Sequence, residues 1–136
     1  MILLDTVVLS ELRKASPNAG VVAYIQTQPE DSLFLSVLTL GEIEAGIEKQ
    51  RRAAPEFAAA LAQWLAQLER QFAPCILPVT PAIAKVWGRL CVQTGNKGID
   101  NLIAATALCH DLTVATRNLK DFVPTGVRVF DPFSLP

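Results

Sequence analysis

Five short apolar runs, Ile2–Leu4, Leu33–Val37, Ile76–Val79, Leu112–Thr116 and Val127–Phe130, are set apart by stretches in which apolar residues recur at helical spacing. Strand-length runs that are apolar almost throughout suit strands covered on both faces, with the intervening helices as crossovers. The alternation predicts a three-layer α/β/α fold with a mostly parallel central sheet. Pro78 restricts the third run to an edge or a strand end, because proline has no N–H to give to a ladder. With 136 residues, 51% of them hydrophobic, the chain can bury one core but not two. Neither a repeat nor a low-complexity tract interrupts it, so residues 1–136 are read as a single domain.

The helices follow from local signals. Leu9–Lys14 reads as a helix after the first strand, turning off at Ser16-Pro17-Asn18. Gly20–Gln28 places Val21, Val22 and Ile25 on one face before Pro29. Thr39-Leu-Gly-Glu42 has the spacing of a capping box, which predicts a helix from Thr39 with Ile43 and Ile47 on its inner stripe. Pro55 fits the first position of the next helix, where Phe57, Leu61, Trp64, Leu65, Leu68 and Phe72 form a core stripe, not an aromatic platform for nucleic acid. Thr80-Pro81 opens a helix carrying Ile83, Val86, Trp87 and Leu90 and ending near Gly95–Gly98. Asp100 then begins a small, apolar helix expected to be buried as far as Cys109.

Composition removes several classes of function. Twelve basic against 13 acidic residues give a formal charge of −1, unlike a general nucleic-acid coat protein, so contact with nucleic acid would have to be local. Lys49-Gln-Arg51-Arg52 and Arg117 are the local cations considered for phosphates, with Arg13 and Lys14 similar; a solvated helix end is the preferred reading of the first group. No apolar run approaches the roughly 18–20 residues of a membrane span, and Asp5 interrupts the N-terminal run, so a soluble, cytoplasmic protein is expected. Cys75, Cys91 and Cys109 are odd in number and widely spaced, which predicts buried, reduced thiols. His110 is the only histidine, which excludes a two-histidine ribonuclease mechanism and suits a helix C-terminus. Glu44 and Glu48 are expected to be surface charges.

In a parallel sheet the carboxyl ends of the strands share one edge, where open α/β folds bind their ligands. Four acids map there: Asp5 after the first strand, Glu42 in the helix after the second, Asp100 at the start of the buried helix and Asp121 after strand 112–116. Carboxylates about 5 Å apart repel by roughly 3 kcal/mol at an effective dielectric constant near 20. Such a cluster calls for cations, and hard oxygen ligands suit Mg²⁺ or Mn²⁺, which bind phosphates and activate water. Phosphodiester hydrolysis is the chemistry implied. Taken singly, each acid has a structural alternative: Asp5 as a helix cap, Glu42 in the capping box, Asp100 at a positive helix end, Asp121 paired with Lys120 or solvated.

Four sequence blocks occur in order: Asp5-Thr6 after an apolar strand, Ser36-Val-Leu-Thr39-Leu-Gly-Glu42, Asp100-Asn-Leu-Ile-Ala-Ala-Thr106 and Thr116-Arg-Asn-Leu-Lys-Asp121-Phe122. Together they resemble the PIN domain, and more narrowly the VapC-type toxin ribonucleases of bacterial toxin–antitoxin pairs, from residue 1 to about residue 130. The resemblance implies a Mg²⁺- or Mn²⁺-dependent endoribonuclease with Asp5, Glu42, Asp100 and Asp121 as metal-binding, catalytic acids, leaving a 3′-hydroxyl and a 5′-phosphate. Thr6 and Thr116 would support the site with their hydroxyls. Asn118 stands where some members carry an acid and would orient water or substrate, with Arg117 beside it. A homodimer and a cognate antitoxin that blocks the acidic site are also implied. The family commonly has Asn directly after Thr6, and here Val7 takes its place.

Two other classes remain as alternatives. An inactive PIN-like module that binds RNA or protein is kept open by Val7. A phospho-accepting receiver domain shares the size and layering, but strand 33–37 ends without the Asp such a domain uses. Haloacid-type phosphatases need a second Asp where Val7 stands.

Overall fold

The computed structural model describes residues 1–134, so the last two residues of the expected 1–136 unit, Leu135 and Pro136, lie outside the described residues. Strand β1 is Ile2–Leu4, β2 Leu33–Ser36, β3 Ile76–Leu77, β4 Thr113–Ala115 and β5 Val129–Phe130. They pair in parallel in the order β3-β2-β1-β4-β5. Helices α1 (Thr6–Leu12), α2 (Ala19–Gln26), α3 (Val37–Gln50), α4 (Pro55–Gln71), α5 (Pro81–Thr94), α6 (Ile99–His110) and α7 (Leu119–Phe122) lie between them. β3 is an edge strand, as Pro78 requires.

Strand side chains alternate between the two faces, and β1 shows the consequence. Ile2 and Leu4 join one cluster with Val8, Leu9, Val21, Ile43, Ile47, Leu65 and Leu68 from α1–α4. Leu3 joins the other, with Ile83, Leu90, Ile103, Ala104 and Phe122 from α5–α7. A strand buried on both sides has no polar alternation to show, which is why the run reads as continuously apolar. The small residues of α6 allow close packing: Ala104, Ala105 and Ala107 have no exposed surface. Its ends emerge, at Ile99 and in the last turn, Leu108–His110.

Three local expectations need correction. Helix α3 begins at Val37, not Thr39. Ser36, leaving β2 in extended conformation, caps it by accepting the Leu38 N–H at 3.1 Å. The Thr39–Glu42 capping box therefore does not form, and Thr39 lies inside the helix with no exposed surface. The cysteines are free but not buried: Cys75 and Cys91 are half-buried, and Cys109, in the last turn of α6, is exposed. In α4, Leu65 and Leu68 are core, whereas Phe57, on the same stripe, is 40% exposed. Among the described residues, no helix is long and apolar enough to cross a membrane.

Candidate active site

The chain leaves β1 for β2 on one side and reaches β4 on the other, so the strand order reverses between β1 and β4. A crevice opens at the carboxyl ends of the strands flanking such a reversal. Asp5 follows β1 there and Thr116 follows β4. Asp5 is 5% exposed. It serves as the N-cap of α1, with Oδ1 accepting the Thr6 N–H at 2.9 Å, while Oδ2 accepts the Thr116 hydroxyl at 2.8 Å. Its own N–H donates to the Ala115 carbonyl at 3.0 Å. Thr116, fully buried, also accepts the Asn118 N–H at 3.0 Å. One hydroxyl thus ties the β4–α7 turn to the carboxylate across the sheet.

Glu42 stands in the second turn of α3, exposed, and its Oε1 accepts the Thr6 hydroxyl at 2.7 Å. Thr39 Oγ1 lies 3.3 Å from Thr6 Oγ1. The Thr6 hydroxyl therefore links the Asp5 turn directly to Glu42, with the Thr39 hydroxyl beside it. Asp100 is half-buried in the first turn of α6. The start of that helix is anchored by buried Asn101, whose Nδ2 donates to Thr94 Oγ1 at 2.8 Å and to the Asn96 carbonyl at 2.6 Å. Asp121 is exposed on α7, and Asn118, also exposed, precedes that helix without capping it through its side chain.

The electrostatics connect all four acids. Burial pushes the Asp5 carboxyl up to about 6; the Thr116 and Thr6 hydrogen bonds oppose the rise, and the charges of Asp100 and Glu42 add to it. Asp100 is raised chiefly by burial and then by Asp121 and Glu42. Each shift has the sign expected for an anion held out of water among anions. The ion pairs among the described residues are Lys14–Glu11, Arg51–Glu48 and Arg128–Asp111, so none of the four acids is neutralised by a side-chain cation. Lys120 in particular does not pair with Asp121. An all-oxygen, anionic donor set of this kind fits a hard divalent ion such as Mg²⁺ or Mn²⁺. The carboxylates are not drawn into a closed cage: among the described residues, no three His, Cys, Asp or Glu side chains already stand close enough to hold a metal ion.

The cations lie elsewhere. Arg117 lays its guanidinium over the Phe133 ring, 3.7 Å from the centroid. Arg51 pairs with Glu48 at the solvated end of α3, Lys14 pairs with Glu11, and Arg13 lies over Phe57 and Trp64. His110 ends α6, and Glu44 and Glu48 are exposed. Val7 is half-buried against the α1–α4 core. Sequence reasoning assigned Thr39 to a cap and gave Asn101 no role. The available signal was a polar residue inside an apolar helical stripe at each position.

The sequence matches the PIN domain family over residues 2–123. It is 36% identical to the toxin FitB of Neisseria gonorrhoeae, covering 98% of this chain and 99% of that one. It is 32% identical to the VapC ribonuclease Y4jK of Sinorhizobium fredii, covering 98% of each. The fold superposes on the FitAcB crystal structure from N. gonorrhoeae with a TM-score of 0.87 at 34% identity, covering 99% of this chain and 100% of that one. A toxin–antitoxin complex from Klebsiella pneumoniae gives 0.68 at 26% identity, covering 99% and 100%.

Proposed function

The chain belongs to the PIN-domain family, among the relatives of FitB and VapC, and from that premise we propose that it is a Mg²⁺- or Mn²⁺-dependent endoribonuclease acting as the toxin of a toxin–antitoxin pair. The observation that carries the reading is the set of four acids at the switch point of the sheet, unpaired by any cationic side chain among the described residues, in which Asp5 and Asp100 are raised by burial and by the charges of neighbouring acids of the set. Asp5, Glu42, Asp100 and Asp121 would hold the metal. When bound, the ion supplies Lewis acidity toward phosphoryl oxygens and turns water into a nucleophile at neutral pH.

The chain's own residues divide the remaining work. Asp5 is the rigid ligand, since burial and two hydrogen bonds fix both of its oxygens. Glu42 is the adjustable one, exposed and held by a single hydroxyl. Thr116 keeps Asp5 anionic by donating to it and fixes the turn that leads to Asn118 and Asp121. The water oxygen attacks phosphorus and the 3′ oxygen leaves with a proton, giving a 3′-hydroxyl and a 5′-phosphate. Asn118, whose carboxamide does not cap α7, is free to orient water or substrate, with Arg117 beside it.

In this reading residues 1–136 form one cytoplasmic nuclease domain, acting as a homodimer and silenced by a small antitoxin that covers the acids. The toxin name of FitB and the toxin–antitoxin complex of similar fold support the partner. A binding module with weak or no cleavage is the second reading. Val7 favours it, because an apolar side chain packed on the core gives Asp5 no polar support from that position. The test is to purify the protein with and without its partner and to incubate total RNA with Mg²⁺, Mn²⁺ or chelator. Metal-dependent cleavage by the free protein, blocked by the partner, is expected; no cleavage with either metal refutes the enzyme. Expression alone should arrest growth, and harmless expression of an active nuclease would remove the toxin role.

A further inference from the structure

Helix α6 carries Asp100 in its first turn, yet its N-cap residue, Gly98, has no side chain to hold that turn. The preceding turn resists a larger residue there, since a Cβ built on Gly98 comes 3.1 Å from Asn96 Oδ1, which accepts the Gly98 N–H at 2.8 Å. The task falls to Asn101, the residue after Asp100, which is 1% exposed. We propose that Asn101 is a positioning residue for the metal site: its carboxamide clamps the α5–α6 turn onto the first turn of α6 and so holds Asp100 at the carboxyl edge of the sheet. This role rests on the metal-dependent ribonuclease reading and extends it to a residue that acts through Asp100 and not on the ion.

The hydrogen bonds explain why an amide stands at this position. The Thr94 hydroxyl donates to the Leu90 carbonyl at 2.9 Å, in the last turn of α5. With its proton committed, its oxygen can only accept, and it accepts from Asn101 Nδ2 at 2.8 Å and from the Asn96 N–H at 3.2 Å. Asn101 Nδ2 gives its other hydrogen to the Asn96 carbonyl at 2.6 Å. Both partners of Nδ2 are acceptors, so the position needs two neutral hydrogens on one short side chain. Ionised Asp has the same shape and none to give. Lys or Arg could donate, but would set a cation beside Asp100 in competition with the metal. In a capping box the side chain at the third helical position reaches back to the N-cap; Asn101 holds that position in α6 and reaches further, to Asn96.

The clamp matters most for Asp100 because of how the other acids are held. Both oxygens of Asp5 accept hydrogen bonds, and Glu42 accepts the Thr6 hydroxyl. Among the described residues no hydrogen bond holds the Asp100 carboxylate, so its placement depends on the backbone that carries it. That backbone leaves a tight turn, in which Gly95 closes α5 in the left-handed region at φ 73°. A buried donor deprived of both partners is costly, so the turn and the first turn of α6 move as one body.

The experiment measures the Mn²⁺ affinity of the folded protein by isothermal titration calorimetry, with a melt in chelator to read stability separately. Asn101→Ala should weaken Mn²⁺ binding about tenfold, the loss typical of a residue that orients a metal ligand. Thr94→Val removes one acceptor and leaves the Asn96 carbonyl, so it should weaken binding less, and Thr94→Ser should restore it. Ile83→Ala, a core truncation at the other end of α5, should lower the melting temperature and leave Mn²⁺ affinity unchanged. In the cleavage assay, raising Mn²⁺ should recover most of the rate lost in Asn101→Ala, with KM for RNA unmoved. Parental Mn²⁺ affinity in both Asn101→Ala and Thr94→Val overturns the assignment, as does an equal loss in Ile83→Ala, which would make the effect one of general stability. If Asn101→Ala does not fold, the contrast between Thr94→Val and Thr94→Ser decides. A parent that binds no Mn²⁺ refutes the metal-dependent reading, and the positioning role with it. Clamp-dependent Mn²⁺ binding in a protein that never cleaves RNA refutes the ribonuclease reading and leaves the positioning role standing.

Discussion

Replacing Asp5 by Asn should stabilise the metal-free protein at neutral pH, although Asp5 is an ordered N-cap with two hydrogen bonds. In the fold its pKa rises from the ordinary 3.8 to about 6. At about 1.4 kcal/mol per pKa unit, ionised Asp5 costs the fold on the order of 3 kcal/mol. The sign follows from linkage. The contribution of the protonated carboxyl is fully present below about pH 4 and is lost as the pH rises through about 6. Asn avoids that loss, and its Oδ1 can still accept the Thr6 N–H. Its amide, facing the Thr116 hydroxyl, forces that hydroxyl to turn, and losing one good hydrogen bond removes about 1 kcal/mol. The net gain is about 1–2 kcal/mol, or roughly 3–8 °C in Tm for a domain of this size. Thermal melts in chelator near pH 8 and near pH 4.5 should show Asp5→Asn above the parent at the higher pH and level with it or below at the lower. Mn²⁺ should then raise the parent's Tm and leave the variant's nearly unchanged. A variant that melts below the parent by the same margin at both pH values would refute the reasoning, because the Asp5 charge would then carry no penalty.

Metal-induced stabilisation and RNA cleavage should both fall as the pH drops below about 6, where Asp5 takes up a proton that competes with the ion; a flat profile down to pH 5 would remove Asp5 from the ligand set. Glu42→Gln keeps an acceptor for the Thr6 hydroxyl and should melt within about 1–2 °C of the parent. Its cleavage should drop by about tenfold or more, and an unchanged rate would show that the charge of Glu42 is not used. Thr116→Val removes a buried donor to Asp5 and an acceptor for Asn118, so urea unfolding should register a loss of about 1–3 kcal/mol, together with weaker Mn²⁺ stabilisation that Thr116→Ser recovers. Asp121→Asn should reduce cleavage far more than Asn118→Ala; the reverse ranking would move the fourth position to Asn118.

The sequence by itself determined the layering and the edge at which chemistry is placed. Continuous apolar runs report burial on both faces, and an acid directly after β1 or early in α6 needs only the chain direction to be assigned to the carboxyl edge. Membership of the PIN-domain family was legible in the four ordered blocks for the same reason, since each sits at a strand end or helix start that local signals locate. Tertiary structure decided what depends on distances between segments remote in sequence. The partner that fixes Asp5 is Thr116, 111 residues away, and the rise of its pKa comes from burial and from Asp100 and Glu42 on other helices. Thr39 and Glu42 have the spacing of a cap, yet Ser36 takes that role, because the cap belongs to the residue at which the chain leaves the strand. Helical periodicity put Phe57 on the inner stripe of α4 but could not say whether anything covers it there. Only the assembled fold shows that its ring is left 40% exposed.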